Sequence, residues 1–176
     1  MLNFHTIGGE VMPQRFAIGQ DSHAFEKDPA LQFSKPLILG GTVFEGQPCL
    51  SANSDGDVVL HALTNAVSGI TCINILGGLA DEMCGKGITD SSEYLQAALR
   101  DLDRLGGRIT AVSISIEAKK PKLFARIPEM REHIGALMGI APGRCGITAT
   151  SGEGLTAFGK GDGIAVFAAV TVDFDD

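Results

Sequence analysis

The stretch RITAVSISIEA, residues 108–118, has the clearest strand pattern in the chain. Apolar and polar side chains alternate along it, which is typical of a β-strand with one buried face. Two further strands are predicted downstream, CGITAT at 145–150 and GIAVFAAVTVDF at 163–174, and a shorter one upstream at 15–19. The segment PLILGGTVFE, residues 36–45, predicts a hairpin of two short strands around its Gly-Gly pair.

Helices are predicted between these strands. One covers residues 55–69, a second runs from Asp90 or Ser91 to about Leu105, and a third from near Pro128 to about Met138. The glycine-rich residues 72–89 are expected to be irregular. The mixed order of strands and helices favours an α/β fold of the α+β type, with a sheet covered by helices. The first helix has apolar residues for a buried face at Val58, Ala62, Leu63, Ala66 and Val67.

Composition places the chain among globular proteins of one domain. It has 176 residues, of which 44% are apolar and 20% charged, and we expect a single domain over 1–176 with an N-terminal extension at 1–14. The net charge of −7 argues against a nucleic-acid-binding surface. Neither a signal peptide nor a membrane span is predicted. Four widely spaced cysteines form no C-x-x-C pair, so reduced thiols in the cytoplasm are the simplest interpretation.

An acid and a histidine stand two residues apart in QDSHAF, residues 20–25. Side chains at i and i+2 of a strand point to the same side, so Asp21 and His23 can converge on one point. They are either polar residues at a turn or two ligands of a metal ion that needs a third.

The segment SANSDGDVVLHAL, residues 51–63, offers that third ligand. Ser54 and Asp57 fit a capping box, with Ser54 as the N-cap. His61 follows within an apolar helix, where a histidine is more often a core residue than a ligand. With Asp21 and His23 it would leave a fourth zinc position open, as a catalytic site requires. Asp57 or a backbone carbonyl could then orient one imidazole.

A glycine-rich loop, TATSGEGLTAFGKGDG, covers residues 148–163. Its glycines allow backbone N–H groups to approach phosphate oxygens, and Thr150 and Ser151 add hydroxyls. Glu153 offers a hard oxygen ligand for magnesium or manganese. The alternative is a flexible loop with a solvated glutamate. The loop matches neither a P-loop nor a Rossmann fingerprint, so neither ATP nor NAD is indicated.

Basic residues concentrate in EAKKPKLFARIPEMR, residues 117–131, within an acidic protein. A run of charge is usually a solvated surface. The functional alternative is a loop that receives a polyanion or a nucleotide. The five cations are Lys119, Lys120, Lys122, Arg126 and Arg131.

In this order, these segments resemble the 2-C-methyl-D-erythritol 2,4-cyclodiphosphate synthase family of the non-mevalonate isoprenoid pathway. The resemblance runs from about Phe16 to Phe174, and its most specific parts are IGQDSHAF, PLILGG, SDGDVVLHAL, KPKL with IPEMR, and SGEGL. It implies a phosphorus–oxygen lyase that converts 4-diphosphocytidyl-2-C-methyl-D-erythritol 2-phosphate to the cyclic diphosphate and CMP. It also implies a homotrimer with active sites between subunits and a mixed sheet with helices on one face.

The resemblance also assigns roles to residues. Asp21, His23 and His61 match the ligands of one zinc per subunit, and Glu153 matches the acid near a second ion, magnesium or manganese. Asn53 and Ser151 match the catalytic positions. The substrate-binding positions implied by the match are Asp21, Ser22, His23, Asn53, Ser54, Gly78, Leu79, Ala80, Ala118, Lys119, Lys120, Pro121, Lys122, Leu123, Phe124, Thr150, Ser151, Gly152, Glu153, Phe158 and Lys160.

The chain departs from the family pattern at several positions. Asn53 stands where the family usually has histidine, and Gly78 replaces the aspartate of LGDIG. The FPDTD stretch that usually follows is absent. Asn65, Ser151 and Lys160 replace a common aspartate, threonine and arginine. These departures keep two alternatives open: a non-catalytic, trimeric nucleotide-binding relative, and a zinc phosphoesterase acting on a different nucleotide.

Overall fold

The computed structural model describes residues 14–174 of the chain. Residues 1–13, which hold most of the predicted N-terminal extension, lie outside the described residues. The strands are β1 Gln14–Ala24, β2 Leu37–Leu39, β3 Thr42–Phe44, β4 Gly107–Glu117, β5 Cys145–Thr150 and β6 Gly163–Phe174. The α-helices are α1 Val58–Thr71, α2 Gly78–Gly85, α3 Ser91–Arg104, α4 Ile127–Met138 and α5 Ala157–Lys160. Single 3₁₀ turns lie at Phe124–Arg126, Pro142–Arg144 and Gly152–Gly154.

Four strands form one mixed sheet in the order β1-β6-β4-β5. β6 is antiparallel to both β1 and β4, while β4 and β5 are parallel. β2 and β3 form a separate hairpin around Gly40 and Gly41, as predicted. The predicted α/β class, with a mixed sheet and helices, is confirmed.

One face of the sheet is buried and the other is open. On β4 and β6 the core side is formed by alternate apolar residues, among them Ile114, Ile116, Val166 and Val170, none more than 1% exposed. α1 packs against β1 and β6 on this side. The alternation that predicted the strands therefore also predicts which side chains are buried.

The first helix approaches the sheet closely because β1 carries a glycine beneath it. A Cβ atom at Gly19 would lie 2.2 Å from the carbonyl oxygen of Ala62 and 2.3 Å from the backbone nitrogen of Ala66. Any side chain would push α1 away from β1. The helix carries His61 and the strand carries Asp21 and His23, so this contact sets the distance between them.

The prediction for residues 15–19 was too short. β1 continues to Ala24, so Asp21, Ser22 and His23 all lie within the strand. The register explains the extension, because Asp21 pairs with Val166 and His23 with Ile164 on β6. Long-range pairing of this kind overrides the turn signal that polar residues give in the sequence.

The predicted capping box was wrong. α1 begins at Val58, and the N-cap is Asp57 rather than Ser54. Asp57 Oδ1 accepts hydrogen bonds from the backbone N–H groups of Val59 and Leu60, both at 3.1 Å. The same carboxylate accepts N–H groups from Gly40 at 2.8 Å and Gly41 at 2.7 Å, so it joins the β2–β3 hairpin to the helix. These four backbone donors hold Asp57 at the cap.

The prediction of an irregular segment at 72–89 was also wrong in part, because it contains α2. The helix is short, begins after Gly77 at φ +94, and buries Ala80 alone. Glycine lowers helix propensity, so the sequence pattern did not predict this helix. The later predicted helices are confirmed as α3 and α4, and Pro128 lies in the first turn of α4.

No helix within residues 14–174 is long and apolar enough to cross a membrane. The four cysteines are free thiols, with Cys49 and Cys145 buried and Cys72 exposed.

Candidate metal centre

Three side chains from β1 and α1 meet in a triangle of ligand atoms. Asp21 Oδ2 lies 2.9 Å from His61 Nδ1 and 3.2 Å from His23 Nε2, and the two imidazole nitrogens are 3.1 Å apart. Asp21 and His23 are on the helix-facing side of β1, as their i, i+2 spacing predicted. His61 is a buried residue of α1 that faces them. The structure thus brings together the three residues that the sequence proposed as ligands.

The triangle fits a tetrahedral metal ion such as zinc. Bonds of about 2.0–2.1 Å to nitrogen and oxygen separate two ligands of a tetrahedral ion by roughly 3.3 Å. The three observed edges are 2.9–3.2 Å, so little movement is needed to accept an ion. Two imidazoles and one carboxylate can act together as ligands of one metal ion. They leave one tetrahedral position open, which is the arrangement of catalytic rather than structural zinc sites.

The electrostatics of Asp21 suit a ligand that stays ionised. Burial alone raises the pKa of its carboxyl, but hydrogen bonds and charge interactions with His23 and His61 outweigh burial. The net effect lowers the pKa below its ordinary value. The carboxylate is therefore ionised at neutral pH.

A cavity of about 870 Å³ opens directly over the triangle. Asn53 and Ser54, both predicted site residues, form one wall, and Ala80 of α2 belongs to another. Gly78 and Leu79, predicted on the same segment, are exposed. Ser22 is exposed and lies on the opposite side of β1 from its neighbours Asp21 and His23.

The remaining predicted site residues form a second cluster at β5. Ala118 N–H donates to the Thr150 carbonyl at 3.0 Å, and Lys119 N–H donates to the Phe158 carbonyl at 3.3 Å. Lys119 Nζ donates to the Lys160 carbonyl at 3.4 Å. The segments 118–124 and 150–160 thus pack together. Within residues 14–174, neither segment lines the cavity over the metal triangle.

The glycine-rich loop of this second cluster is strained at its acidic residue. Glu153 has φ +49, a region that residues other than glycine rarely adopt, and it accepts a hydrogen bond from Ser151 Oγ at 3.0 Å. Gly152 has φ +66, and a Cβ there would lie 2.0 Å from Glu117 Oε1. Strain of this kind is typical of functional sites. The cations of the basic run are not equally available to an anionic ligand, because the Arg126 guanidinium forms an ion pair with the Glu129 carboxylate at 2.8 Å.

Sequence reasoning missed several residues around the cavity. Lys35 Nζ donates to the backbone carbonyls of Ala52, at 2.8 Å, and Ser54, so it holds the loop that carries Asn53. The expectation that Asp57 could orient an imidazole was wrong, because its carboxylate is used by backbone N–H groups. The side chain behind His61 is Ser91, thirty residues away in the chain, and no local sequence signal marks it.

Comparison with known proteins places the chain in a family and agrees with its fold. Residues 14–173 match the model of the YgbB family. A protein named 2-C-methyl-D-erythritol 2,4-cyclodiphosphate synthase from Chlamydia trachomatis serovar L2b is 50% identical over 161 residues, covering 90% of this chain and 87% of its own. A protein of the same name from Chlamydia felis is 47% identical over 159 residues, covering 90% of this chain and 88% of its own.

Solved structures also match the fold of this chain. A structure described as 2C-methyl-D-erythritol-2,4-cyclodiphosphate synthase in a bound form with CDP has a TM-score of 0.78 at 27% identity, covering 90% of this chain and 100% of its own. The bifunctional IspDF from Campylobacter jejuni has a TM-score of 0.83 at 28% identity, over 94% of this chain. The present chain spans 44% of that longer protein.

Proposed function

The chain belongs to the YgbB family, and from that premise we propose that it catalyses the formation of 2-C-methyl-D-erythritol 2,4-cyclodiphosphate in non-mevalonate isoprene biosynthesis. The observation that carries the proposal is the triangle of Asp21, His23 and His61 beneath a large cavity. The shared name of relatives up to 50% identical supports it. The reduced thiols agree with a cytoplasmic enzyme.

The proposed reaction is an intramolecular phosphoryl transfer. An oxygen of the 2-phosphate of 4-diphosphocytidyl-2-C-methyl-D-erythritol 2-phosphate attacks the β-phosphorus and forms a new P–O bond. The bond from the β-phosphorus to the bridging oxygen breaks, and CMP leaves with that oxygen and the bonding electron pair. This makes the protein a phosphorus–oxygen lyase. Attacking and leaving groups share one molecule, so the protein has mainly to fold the substrate and neutralise its charge.

We assign zinc, one per subunit, to the triangle, because its donor set and open fourth position suit that ion. When bound, the ion supplies positive charge that polarises a phosphoryl oxygen. Glu153, with its hard carboxylate in the glycine-rich loop, is the proposed ligand of magnesium or manganese. Its strained backbone and its contact with Ser151 support a role beyond loop structure.

The chain's own groups hold the substrate. Asn53 is exposed on the cavity wall and can donate its amide hydrogens to a phosphate oxygen. Ser151 can turn its hydroxyl from Glu153 to the substrate. We place the cytidine diphosphate part against Ala118–Phe124 and Thr150–Glu153, and the description of a similar structure as a CDP-bound form supports this. Lys119 and Lys122 add positive charge beside it.

We further propose a homotrimer with active sites between subunits. In the part of the chain that the structure describes, the cavity over the metal triangle is not lined by the second cluster. The open face of the sheet exposes Phe16, Ile18 and Phe167, which are 75%, 69% and 53% exposed. A face of this kind suits contact with other copies of the chain. Such contact would allow the β5 cluster of one subunit to complete the cavity of another.

A single-turnover assay with the diphosphocytidyl substrate and product identification tests the function. We expect cyclic diphosphate and CMP from the zinc-loaded protein. His61→Ala should lose zinc and turnover together while the fold survives, because two ligands hold the ion poorly. His133→Ala is the matched control, since this histidine contacts Thr42 Oγ1 at 3.2 Å, away from the triangle. Hydrolysed nucleotide as the product would instead identify a phosphoesterase, and an intact substrate would leave a binding protein.

A further inference from the structure

A chain of hydrogen bonds runs from His61 away from the metal triangle. His61 Nε2, on the far side of the ring from Asp21, lies 2.9 Å from Ser91 Oγ. The Ser91 hydroxyl is also bonded to Asp55 Oδ1, and Ser91 N–H donates to Asp55 Oδ2 at 3.0 Å. Ser91 is fully buried as the first residue of α3. The order of contacts is therefore Asp55, Ser91, His61.

The two contacts of the Ser91 hydroxyl determine where its proton lies. The Asp55 carboxylate accepts hydrogen bonds and has none to give, and it also accepts the N–H of Asp57 at 3.0 Å. Ser91 has one hydroxyl proton, so it donates that proton to Asp55. Its oxygen is then an acceptor toward His61, which places the imidazole proton on Nε2. In the neutral ring the lone pair then lies on Nδ1, the nitrogen that would bind the metal ion, whereas Asp21 Oδ2, 2.9 Å from Nδ1, is the competing acceptor for the ring proton when no metal is bound.

We propose that Ser91, held by Asp55, is a positioning residue that fixes the Nε2–H form of His61 and so presents Nδ1 to the metal. The inference rests on the metal centre of the proposed function. An imidazole must be neutral and of the right tautomer to act as a ligand, and the hydrogen bond of its other nitrogen sets which tautomer forms. The two strong contacts of Ser91 also fix the plane of the ring.

The other groups around the ring agree with this assignment. Ser54 Oγ lies 3.4 Å from His61 Nε2, a longer contact, and accepts the N–H of Gly56 at 3.1 Å. Tyr94 stands beside the ring with a centroid separation of 6.1 Å, but its hydroxyl donates to the Ile88 carbonyl at 2.8 Å. Ser91 is therefore the nearer partner of Nε2, with Ser54 a weaker second one. Asp55 is itself anchored, because its N–H donates to the Thr89 carbonyl at 2.8 Å.

The test compares Ser91→Ala with Ser92→Ala in the full-length protein. Ser92 is the next residue of the same helix and lies outside the metal cavity, so its replacement controls for the loss of a hydroxyl in this turn. Competition with a chromophoric chelator measures zinc affinity. We expect Ser91→Ala to bind zinc about 10–100-fold more weakly, the usual cost of losing such a partner. Ser92→Ala should match the starting protein.

The second measurement detects the tautomer directly. In metal-stripped protein, long-range ¹H–¹⁵N spectra of the imidazoles distinguish protonated from unprotonated ring nitrogens. His61 should be in the Nε2–H form in the starting protein and in Ser92→Ala, and should become a mixture of tautomers in Ser91→Ala. A merely structural contribution of Ser91 would lower the unfolding temperature without changing this spectrum.

A third variant covers the case in which Ser91→Ala does not fold. Asp55→Asn keeps the Ser91 hydroxyl but replaces its ionised acceptor with a neutral one, so zinc affinity should fall by a smaller factor. Unchanged zinc affinity and an unchanged His61 spectrum in the folded variants would overturn the inference. Both measurements are made without substrate. A protein that meets them but forms no cyclic product would refute the proposed function and leave the role of Ser91 intact.

Discussion

Asn53 is the residue at which the chain departs most informatively from the pattern of its family. It is exposed on the cavity wall, between Ala52 and Ser54, whose carbonyl oxygens both accept hydrogen bonds from Lys35 Nζ. The loop is thus held by a half-buried cationic group while its central side chain, Asn53, is neutral. A neutral amide can donate to a phosphate at every pH at which the protein is folded, unlike a histidine.

We therefore predict that Asn53→Ala slows turnover about 100- to 1,000-fold, because a donor aimed at developing charge is worth roughly 3 kcal/mol. Asn53→His should stay active and gain a histidine-like ionisation in its pH–rate profile, which the starting protein lacks at this position. The measurement is single-turnover rate against pH at saturating metal. Asn74→Ala, outside the cavity, is the control. Equal rates for Asn53→Ala and Asn74→Ala would show that the Asn53 side chain is a structural part of the loop and takes no part in the reaction.

At the residue scale, the sequence predicted the metal ligands better than the residues that hold the ligands and their loop in place. Asp21 and His23 were found because strand geometry alone places i and i+2 on one side. His61 was found because Asp21 and His23 lacked a third ligand, although a histidine in an apolar helix is more often a core residue. Ser91 and Lys35 were missed because serine and lysine are common and their roles depend on contacts across 30 and 17 or more residues of chain. Such contacts exist only after folding.

At the scale of the elements, the contact between α1 and β1 controls the geometry of the metal centre. The strand provides two ligands and the helix the third, and Gly19 lets their backbones touch. Asp57 fixes the start of the same helix through four backbone N–H groups. The helix is therefore held both at its end and along its length. The sequence predicted the helix but placed its start three residues early, because a capping-box pattern does not exclude a cap formed by its own acidic residue.

Gly19→Ala should destabilise the protein and weaken zinc binding together. The new Cβ would meet backbone atoms of α1 at 2.2–2.3 Å, and backbone cannot move aside without moving the helix and His61. Overpacking of this kind typically costs about 1–3 kcal/mol. Gly143→Ala is the control, since its Cβ would meet nothing within 4 Å and Gly143 has no positive φ. Urea unfolding and zinc competition measure the two effects, and a Gly19→Ala protein as stable as Gly143→Ala would contradict the assigned contact.

At the scale of the whole molecule, the two clusters of site residues lie at the same end of the sheet but on different strands. Asp21 pairs with Val166 on β6, while Glu117 of β4 pairs with Ala165 and with Thr150 of β5. β1 and β5 are the outer strands, about 14 Å apart at a spacing of about 4.8 Å per strand. Side-chain alternation predicted the buried face of this sheet. It could not predict that the other face would expose apolar side chains such as Phe16, Ile18 and Phe167, because alternation alone does not separate an exposed apolar face from a core.

Phe167→Asp tests the proposed assembly. Phe167 lies on the open face of β6, between Gln20 of β1 and Ser115 of β4, and is 53% exposed in the single chain. A carboxylate there costs little in a monomer but several kcal/mol in a closed interface, on the order expected for a buried unpaired charge. We expect the variant to sediment as a monomer, to keep its fold and its zinc, and to lose turnover, because in the proposed assembly the glycine-rich loop of a second chain completes the site.

Leu105→Asp is the matched control for Phe167→Asp. Leu105 is 51% exposed and follows α3 in the helical layer, away from the open face of the sheet. It should keep the sedimentation coefficient and turnover of the starting protein. Analytical ultracentrifugation and the single-turnover assay on the same samples separate the possibilities. A Phe167→Asp monomer with full turnover would show that one chain carries a complete site, and the β5 cluster would then need another role. An unchanged oligomer would show that the open face is not the interface, because a charge at its centre could not remain buried without cost.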